Sequence, residues 1–199
     1  MFTRVVTFTG AKDLDAGVVF VRDQVMPVMG QQHGFRGLTV SVDRSGAVLG
    51  VLSLWDSEAD RAASESALAK TREEAQTVIG GTMAIESFEE LVFDVVAAPV
   101  VGSSLLVRRV SMDPAKVDEN AAFFTREVLP QIKANPGFRS ARNMINRQTG
   151  EGLVGTVWAD NDTMEAAAEA AEARREQAAR QGVNLGEQSR REIVYVELR

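Results

Sequence analysis

Apolar and polar residues follow two periods along this chain, and the order of the periods is informative. Arg4–Thr9 is short and rich in β-branched residues, which predicts a strand. Leu14, Val18, Val21, Val25 and Val28 then recur at steps of four and three, the apolar stripe of an amphipathic helix. Leu38–Asp43 alternates with period two, Asp43-Arg-Ser-Gly46 suits a tight turn, and Ala47–Trp55 returns as the hairpin partner. A three-residue loop with a bulge is the expected connection. Ser57-x-x-Asp60 resembles a capping box and opens an Ala- and Glu-rich helix. Glu89–Val95 alternates again. This order, β-α-β-β-α-β, is ferredoxin-like.

The same order then recurs. Gly34-Phe-Arg36 returns as Gly137-Phe-Arg139, an offset of 137 − 34 = 103 residues. At that offset Phe20 meets Phe123, Val25 meets Val128, Pro27 meets Pro130 and Arg44 meets Arg147, and the chain's two Trp, Trp55 and Trp158, are partners. Only the first strand needs a one-residue slip, which sets Arg4, Val6 and Phe8 against Arg108, Val110 and Met112. Asp113-Pro114 marks the start of the second copy's first helix. Asp160–Asp162 offers the N-cap of its second helix, Asp162-x-x-Glu165 resembles a capping box, and Glu192–Leu198 is its last strand. A period this long makes each copy a small domain rather than a solenoid unit. The expected organisation is repeat one over 1–96, a Pro/Gly/Ser linker over 97–104, and repeat two over 105–199. The expected fold class is α+β: two ferredoxin-like βαββαβ repeats whose sheets pack face to face as an intramolecular barrel.

Val25-x-Pro27 followed by Gly34-Phe35, and Leu52-Ser-Leu-Trp55-Asp-Ser-Glu58, resemble the dimeric α+β-barrel superfamily and, within it, the antibiotic-biosynthesis-monooxygenase (ABM) type. The second copy carries Val128-x-Pro130, Gly137-Phe138 and Gly155-Thr-Val-Trp158. The resemblance covers nearly the whole chain, twice. It implies a barrel usually made by two chains and here made by one fused pseudo-dimer, with further homo-oligomerisation left open. The superfamily includes cofactor-free oxygenases, heme-degrading monooxygenases, isomerases and decarboxylases. In ABM-like oxygenases a Trp at this strand end lines the active cavity, with an Asn four residues earlier; that position is Val51 or Val154 here. Heme-degrading members carry a His on the helix after the Trp and an Asn on the first strand, and this chain has neither. Its one His, His33, lies in a loop where the second copy has Pro136, and reads as solvated.

With the three-residue loop, Leu38, Val40, Val42, Leu52 and Leu54 face the helices, and Thr39, Ser41, Val51, Ser53 and Trp55 face the barrel. The second copy then offers Arg109, Arg142, Thr156, Trp158 and Tyr195 to the barrel, while Asn143 faces the helices against the apolar grain. Arg109, Arg142, Thr156, Trp158, Tyr195 and Trp55 are thus the candidate substrate-binding residues. Arg would pair with an anion and Trp would stack on a ring. The structural alternative has Arg142 paired to Glu90 in a filled seam and both Trp residues serving the core.

Composition narrows the chemistry. The chain has 199 residues and a net charge of −6, which argues against nucleic acid and anionic membrane as partners. No apolar run approaches a bilayer span, and the N-terminus lacks signal-peptide character, so a cytoplasmic location is expected. Cys is absent, and with one His a dedicated transition-metal site is not expected. There is no P-loop, dinucleotide fingerprint or Ser-nucleophile motif, and no cofactor is expected. Arg174-Arg-Glu176 reads as a solvated helix face. Two function classes remain: a small-molecule-binding ABM-like protein working as a cofactor-independent monooxygenase on an aromatic or acidic metabolite, and a non-catalytic binding or structural barrel. They divide on whether Arg109, Arg142, Tyr195 and Trp158 line a cavity of roughly 300 Å³ or more.

Overall fold

The computed structural model describes residues 1–172 and 175–199. The first copy runs β1 (Phe2–Thr9), α1 (Leu14–Phe20), a π turn (Val21–Val25), α2 (Met26–Met29), β2 (Phe35–Asp43), β3 (Val48–Trp55), α3 (Glu58–Ala63), α4 (Glu65–Ile79) and β4 (Thr82–Val95). The second runs β5 (Ser104–Ser111), α5 (Val117–Phe123), a π turn (Phe124–Val128), α6 (Leu129–Lys133), β6 (Phe138–Ile145), β7 (Glu151–Trp158), α7 (Asn161–Glu172), α8 (Arg175–Arg180) and β8 (Asn184–Leu198). The expected α+β order of elements is present in both copies. Ala173 and Arg174 lie outside the described residues, so the charged face expected around Arg174 is not assigned.

Two compact units emerge, Met1–Ser87 with Glu192–Arg199, and Phe88–Arg191. They cut the chain elsewhere than the repeat does, because the last strand of each copy is long. β4 starts at Thr82 and β8 at Asn184, well before the alternation seen at 89 and 192. In the first unit Glu192–Leu198 pairs antiparallel with β2, Val40 opposite Tyr195 and Gly37 opposite Leu198. In the second, Glu89–Val95 pairs with β6, Glu90 opposite Met144 and Val95 opposite Ser140. Each unit therefore completes its sheet with the last strand of the other sequence copy.

The helical stripes form as the spacing predicts, with one addition. Each first helix widens into a π turn at the same place, where the Met26 amide donates to the Val21 carbonyl and the Leu129 amide to the Phe124 carbonyl. Pro27 and Pro130 follow immediately. A proline ring clashes with the carbonyl four residues back and has no N–H to give it, so a wider turn relieves both problems. Ser57 caps its helix as expected, accepting from Asp60 N at 3.0 Å, and Asp13 caps α1 by accepting from Ala16 N at 2.9 Å. In the second copy Asp160, one of the cap candidates over 160–162, accepts from Thr163 N at 2.9 Å, so the cap lies two residues before Asp162.

The hairpins correct the expected register. Asp43 pairs with Val48, leaving a four-residue loop instead of three. The Asp43 carboxylate accepts from Ser45 Oγ and Gly46 N, and Ala47 takes a left-handed φ of 51°. One extra loop residue turns every β3 side chain over. Val51 and Trp55 join Leu38, Val40 and Val42 in the core under the helices. The second hairpin has the same register, Ile145 opposite Gly152, so Val154, Thr156 and Trp158 turn the same way. The first-strand slip also runs opposite to expectation. Phe2 pairs with Trp55 and Ser104 with Trp158, so Arg4 corresponds to Leu106, and Val6 to Arg108.

The repeated Gly-Phe-Arg builds a corner. Phe35 meets Trp55 edge-on at 5.5 Å between centroids, and Phe138 meets Trp158 at 5.7 Å. Gly34 (φ 71°) and Gly137 (φ 77°) sit against the next helix's cap, where a Cβ would fall 2.5 Å from Asp60 and 2.6 Å from Thr163. Arg36 forks onto Asp56 at 2.7 and 2.6 Å, and Arg139 donates to the Ala98 carbonyl at 2.8 Å. Both a left-handed φ and a missing Cβ are required at these glycines. Gly137→Ala is expected to cost about 2–4 kcal/mol in urea unfolding, from φ strain plus the clash with Thr163. Gly10→Ala, at φ 68° with open space around it, is expected to cost about 1 kcal/mol. Equal losses for the two would remove the close-approach component.

Candidate functional site

The second unit contains a cavity of about 140 Å³ between its sheet and its helices. β5 contributes Leu106, Arg108 and Val110, β6 contributes Asn143, and β7 contributes Val154, Thr156 and Trp158. The first helix and its π turn add Asn120, Phe123 and Phe124, and Ala167, Ala171, Gln177 and Ala178 close it from above. The wall is mostly apolar, with a few polar groups set into it. Trp158 is 1% exposed, and its indole N–H donates to Thr156 Oγ1 at 2.9 Å. Asn120 Nδ2 donates to the Lys116 carbonyl at 3.1 Å. Arg108 reaches Glu172 and the Gly186 carbonyl, both at 3.4 Å. Asn143 is buried, and its Oδ1 has no hydrogen-bond partner.

The first unit shows what this place looks like when filled. Leu49, Leu68 and Ile79 are fully buried there, with the two side chains of Leu49 and Ile79 closing over Gly17. The corresponding residues of the second copy are Gly152 for Leu49 and Ala171 for Leu68. At the helix end, one residue out of the 103-residue offset, Gly80 and Gly182 both take φ 72°, preceded by Ile79 in the first copy and Gln181 in the second. Polar groups arrive in exchange: Arg108 for Val6, Asn120 for Gly17 and Asn143 for Val40. The cavity thus exists because large apolar side chains were replaced by small ones around a shared frame.

The place of Leu106 in the first unit is taken by Arg4. Its side chain is fully buried over Trp55, 5.4 Å from the ring centroid, and Nη2 donates to the Arg61 carbonyl, Ser64 Oγ and Glu65 Oε1. Burial lowers the Arg4 pKa to about 10, against the attraction of Glu65, and the neighbouring charges of Arg72 and Arg61 lower it further. Arg4 remains charged at neutral pH. The second copy has Ala167 and Ala168 where the first has Ser64 and Glu65, so the apolar Leu106 takes over.

The structure divides the expected site residues. Thr156 and Trp158 line the cavity. Arg142 lies on the opposite face of the sheet, ion-paired to Glu90 and stacked 3.7 Å over Phe93, and burial lowers its pKa despite Glu90. That is the structural alternative for this arginine. Arg109 is exposed on the far side of β5 from Arg108. Trp55 and Tyr195 belong to the first unit, where Trp55 is buried in the core and Tyr195, partly buried, packs against it. Burial raises the Tyr195 phenol, helped by Glu197. The expected barrel-facing cluster therefore does not assemble in this cavity. The residues missed were Arg108 and Asn120; Asn143 was placed correctly under the helices but read as an anomaly. Val154, the position where the resemblance leads one to look for an Asn, is the cross-strand partner of Asn143.

No family model matches the sequence. An uncharacterized Mycobacterium tuberculosis protein, Rv2557, is 28% identical over 152 residues, covering 76% of this chain and 68% of its own. Another, Rv2558, is 25% identical over 67% of this chain and 56% of its own length. Among solved structures, a Fusobacterium nucleatum protein provisionally described as a monooxygenase superposes with a TM-score of 0.72 at 14% identity, covering 99% of this chain and 94% of its own. An anthrone oxidase-like protein gives 0.69 at 15% identity, covering 99% and 92%. At such identities the likeness is one of fold, the α+β-barrel fold that these structures share. No helix among the described residues is long and apolar enough to cross a membrane.

His33 is exposed, as expected of a loop residue, but it is partnered. Its Nδ1 lies 2.6 Å from Asp60 Oδ1, and the same carboxylate takes a hydrogen bond from Ser57 Oγ. The Asp60 hydrogen bond and charge raise the His33 pKa above its ordinary 6.5, while Ser57 and His33 lower that of Asp60. A raised folded-state pKa makes this pair stabilising below the unfolded-state value, with the contribution lost as pH rises through the folded-state pKa. An NMR titration of the His33 ring is expected to give a midpoint above 6.5 that falls in Asp60→Asn. An unchanged midpoint in that variant would remove Asp60 as the cause.

Proposed function

Taking the dimeric α+β-barrel fold as premise, we propose that the second unit is a binding site for a compact, largely apolar molecule of about one aromatic ring, and that the first unit is its core-packed counterpart. One observation supports this above the others: within a shared frame, Leu49 and Leu68 become Gly152 and Ala171, while Arg108, Asn120 and Asn143 replace Val6, Gly17 and Val40. Loss of packing alone would leave a dry apolar void. Arrival of polar side chains at the same wall fits selection for an occupant. The volume of about 140 Å³ matches that expectation, since apolar cavities of about 150 Å³ take up benzene.

Oxygenation of such a ring by dioxygen, without a cofactor, is the finer reading suggested by similar structures described as monooxygenases. Such a reaction begins with removal of a proton from the substrate. Among the described lining residues there is no carboxylate, imidazole, thiol or phenol to take one. Binding without catalysis is therefore the reading favoured here.

Trp55→Phe leaves Trp158 as the only indole. Titration of that variant with toluene is expected to change Trp158 emission saturably. Ala171→Leu, which restores the first copy's Leu68, is expected to abolish the response and raise stability by about 0.5–2 kcal/mol in urea unfolding. Saturable binding that survives Ala171→Leu would place the site elsewhere.

A further inference from the structure

We infer that Arg108 selects the ligand by charge, and that the ligand is a compact aromatic acid of the benzoate type; this rests on the binding reading above. Arg108 is the one charged side chain among the described residues that line the cavity. A guanidinium carries five N–H donors and no acceptor, so its complement is an anion. The first unit has Val6 at this position, buried in its core, so the frame itself has no need of a cation here. Leu106 and Val110, which share the face of β5 with Arg108, are apolar and buried. In such surroundings a charge attracts its counter-ion more strongly than it would in water.

The partners that Arg108 has do not use it up. Its Nη1 donates to the Gly186 carbonyl and its Nη2 to Glu172, both at 3.4 Å, whereas charged pairs close to about 2.7–2.9 Å. In the same unit Arg190 Nε does reach the Glu165 oxygens at 2.7 and 2.9 Å. The Arg108 side chain is 11% exposed and that of Glu172 is 54% exposed, so the carboxylate keeps its water while the guanidinium has lost most of its own. Ala171 and Leu185, the residues just before Glu172 and Gly186, also line the cavity, which sets the guanidinium at its rim. A ring resting on Phe124 and Trp158 fills the apolar wall, and a carboxylate turned toward the rim can take two guanidinium N–H groups at once. A hydrocarbon leaves the cation unused, and an acid without a ring leaves the apolar wall unfilled. The acidic aromatic ligand expected from Arg109 and Arg142 thus keeps its chemical class and changes its arginine.

The test compares benzoate, benzamide and toluene by calorimetry on the wild type, Arg108→Gln and Glu172→Gln. Benzoate is expected to bind the wild type about tenfold or more tighter than benzamide, which keeps the shape but lacks the charge. In Arg108→Gln this preference is expected to vanish, while toluene binding is kept. Glu172→Gln, at an exposed position, removes a carboxylate that competes for the same guanidinium and repels the ligand's own. It is expected to tighten benzoate about threefold and to leave toluene unchanged. A benzoate-to-benzamide ratio unchanged in Arg108→Gln would overturn the role of Arg108, and so would benzoate binding that fails to tighten in Glu172→Gln. Toluene binding with no preference for benzoate would leave the cavity reading standing and this inference refuted. Failure of all three compounds to bind would refute both.

Discussion

Each unit is organised on one buried tryptophan at the end of its middle hairpin strand. Trp55 and Trp158 are at most 1% exposed, and each is held by a phenylalanine edge from the neighbouring strand. An indole can be buried this deeply only if its N–H is satisfied. Here the residue two positions earlier on the same strand does it, Ser53 in one copy and Thr156 in the other. That local solution frees the ring's faces for the helical layer. Glycine just before the phenylalanine lets the helix cap close over the corner. The recurring Gly-Phe-Arg is the sequence trace of this constraint, and its role is architectural.

Around this shared anchor the two copies solve the packing problem differently. The first fills the layer with Leu49, Leu68 and Ile79 and buries Arg4 against Trp55 with hydrogen bonds from α3 and α4 to hold it. A buried guanidinium is tolerable only with such partners. The second copy drops Ser64 and Glu65 to alanines, exchanges the arginine for Leu106, and leaves space further along the sheet. The same frame thus supports a packed core and an open cavity, and the difference lies in a handful of side-chain volumes.

Charge follows the same division of labour. Arg142 is ion-paired with Glu90 and Arg4 with Glu65, and Arg4 bonds through Nη2 while its buried Nε and Nη1 have no hydrogen-bond partner. Arg108 stands apart, with both of its partners at 3.4 Å and its place on the cavity wall. The net charge of −6 says nothing about such local arrangements, which depend on a strand's register.

Much of the architecture was legible in the chain itself. Periods of two and 3.6 identified the strands and helices, and the 103-residue offset of Gly-Phe-Arg and Trp identified the duplication. These signals are local or rest on rare residues, so they survive without knowledge of packing. Three things required tertiary structure. The first hairpin's loop length depends on Asp43 bonding its own turn and on Ala47 accepting a left-handed φ, and one residue there decides which face Trp55 and Ser53 occupy. The first halves of β4 and β8 carry no clear alternation of apolar and polar residues, so the way the long strands divide between the units was invisible. Asn143 looked like a misfit because an amide under a helix makes sense only once there is a cavity for it to line, and a cavity is an absence of atoms that no single residue in a sequence records.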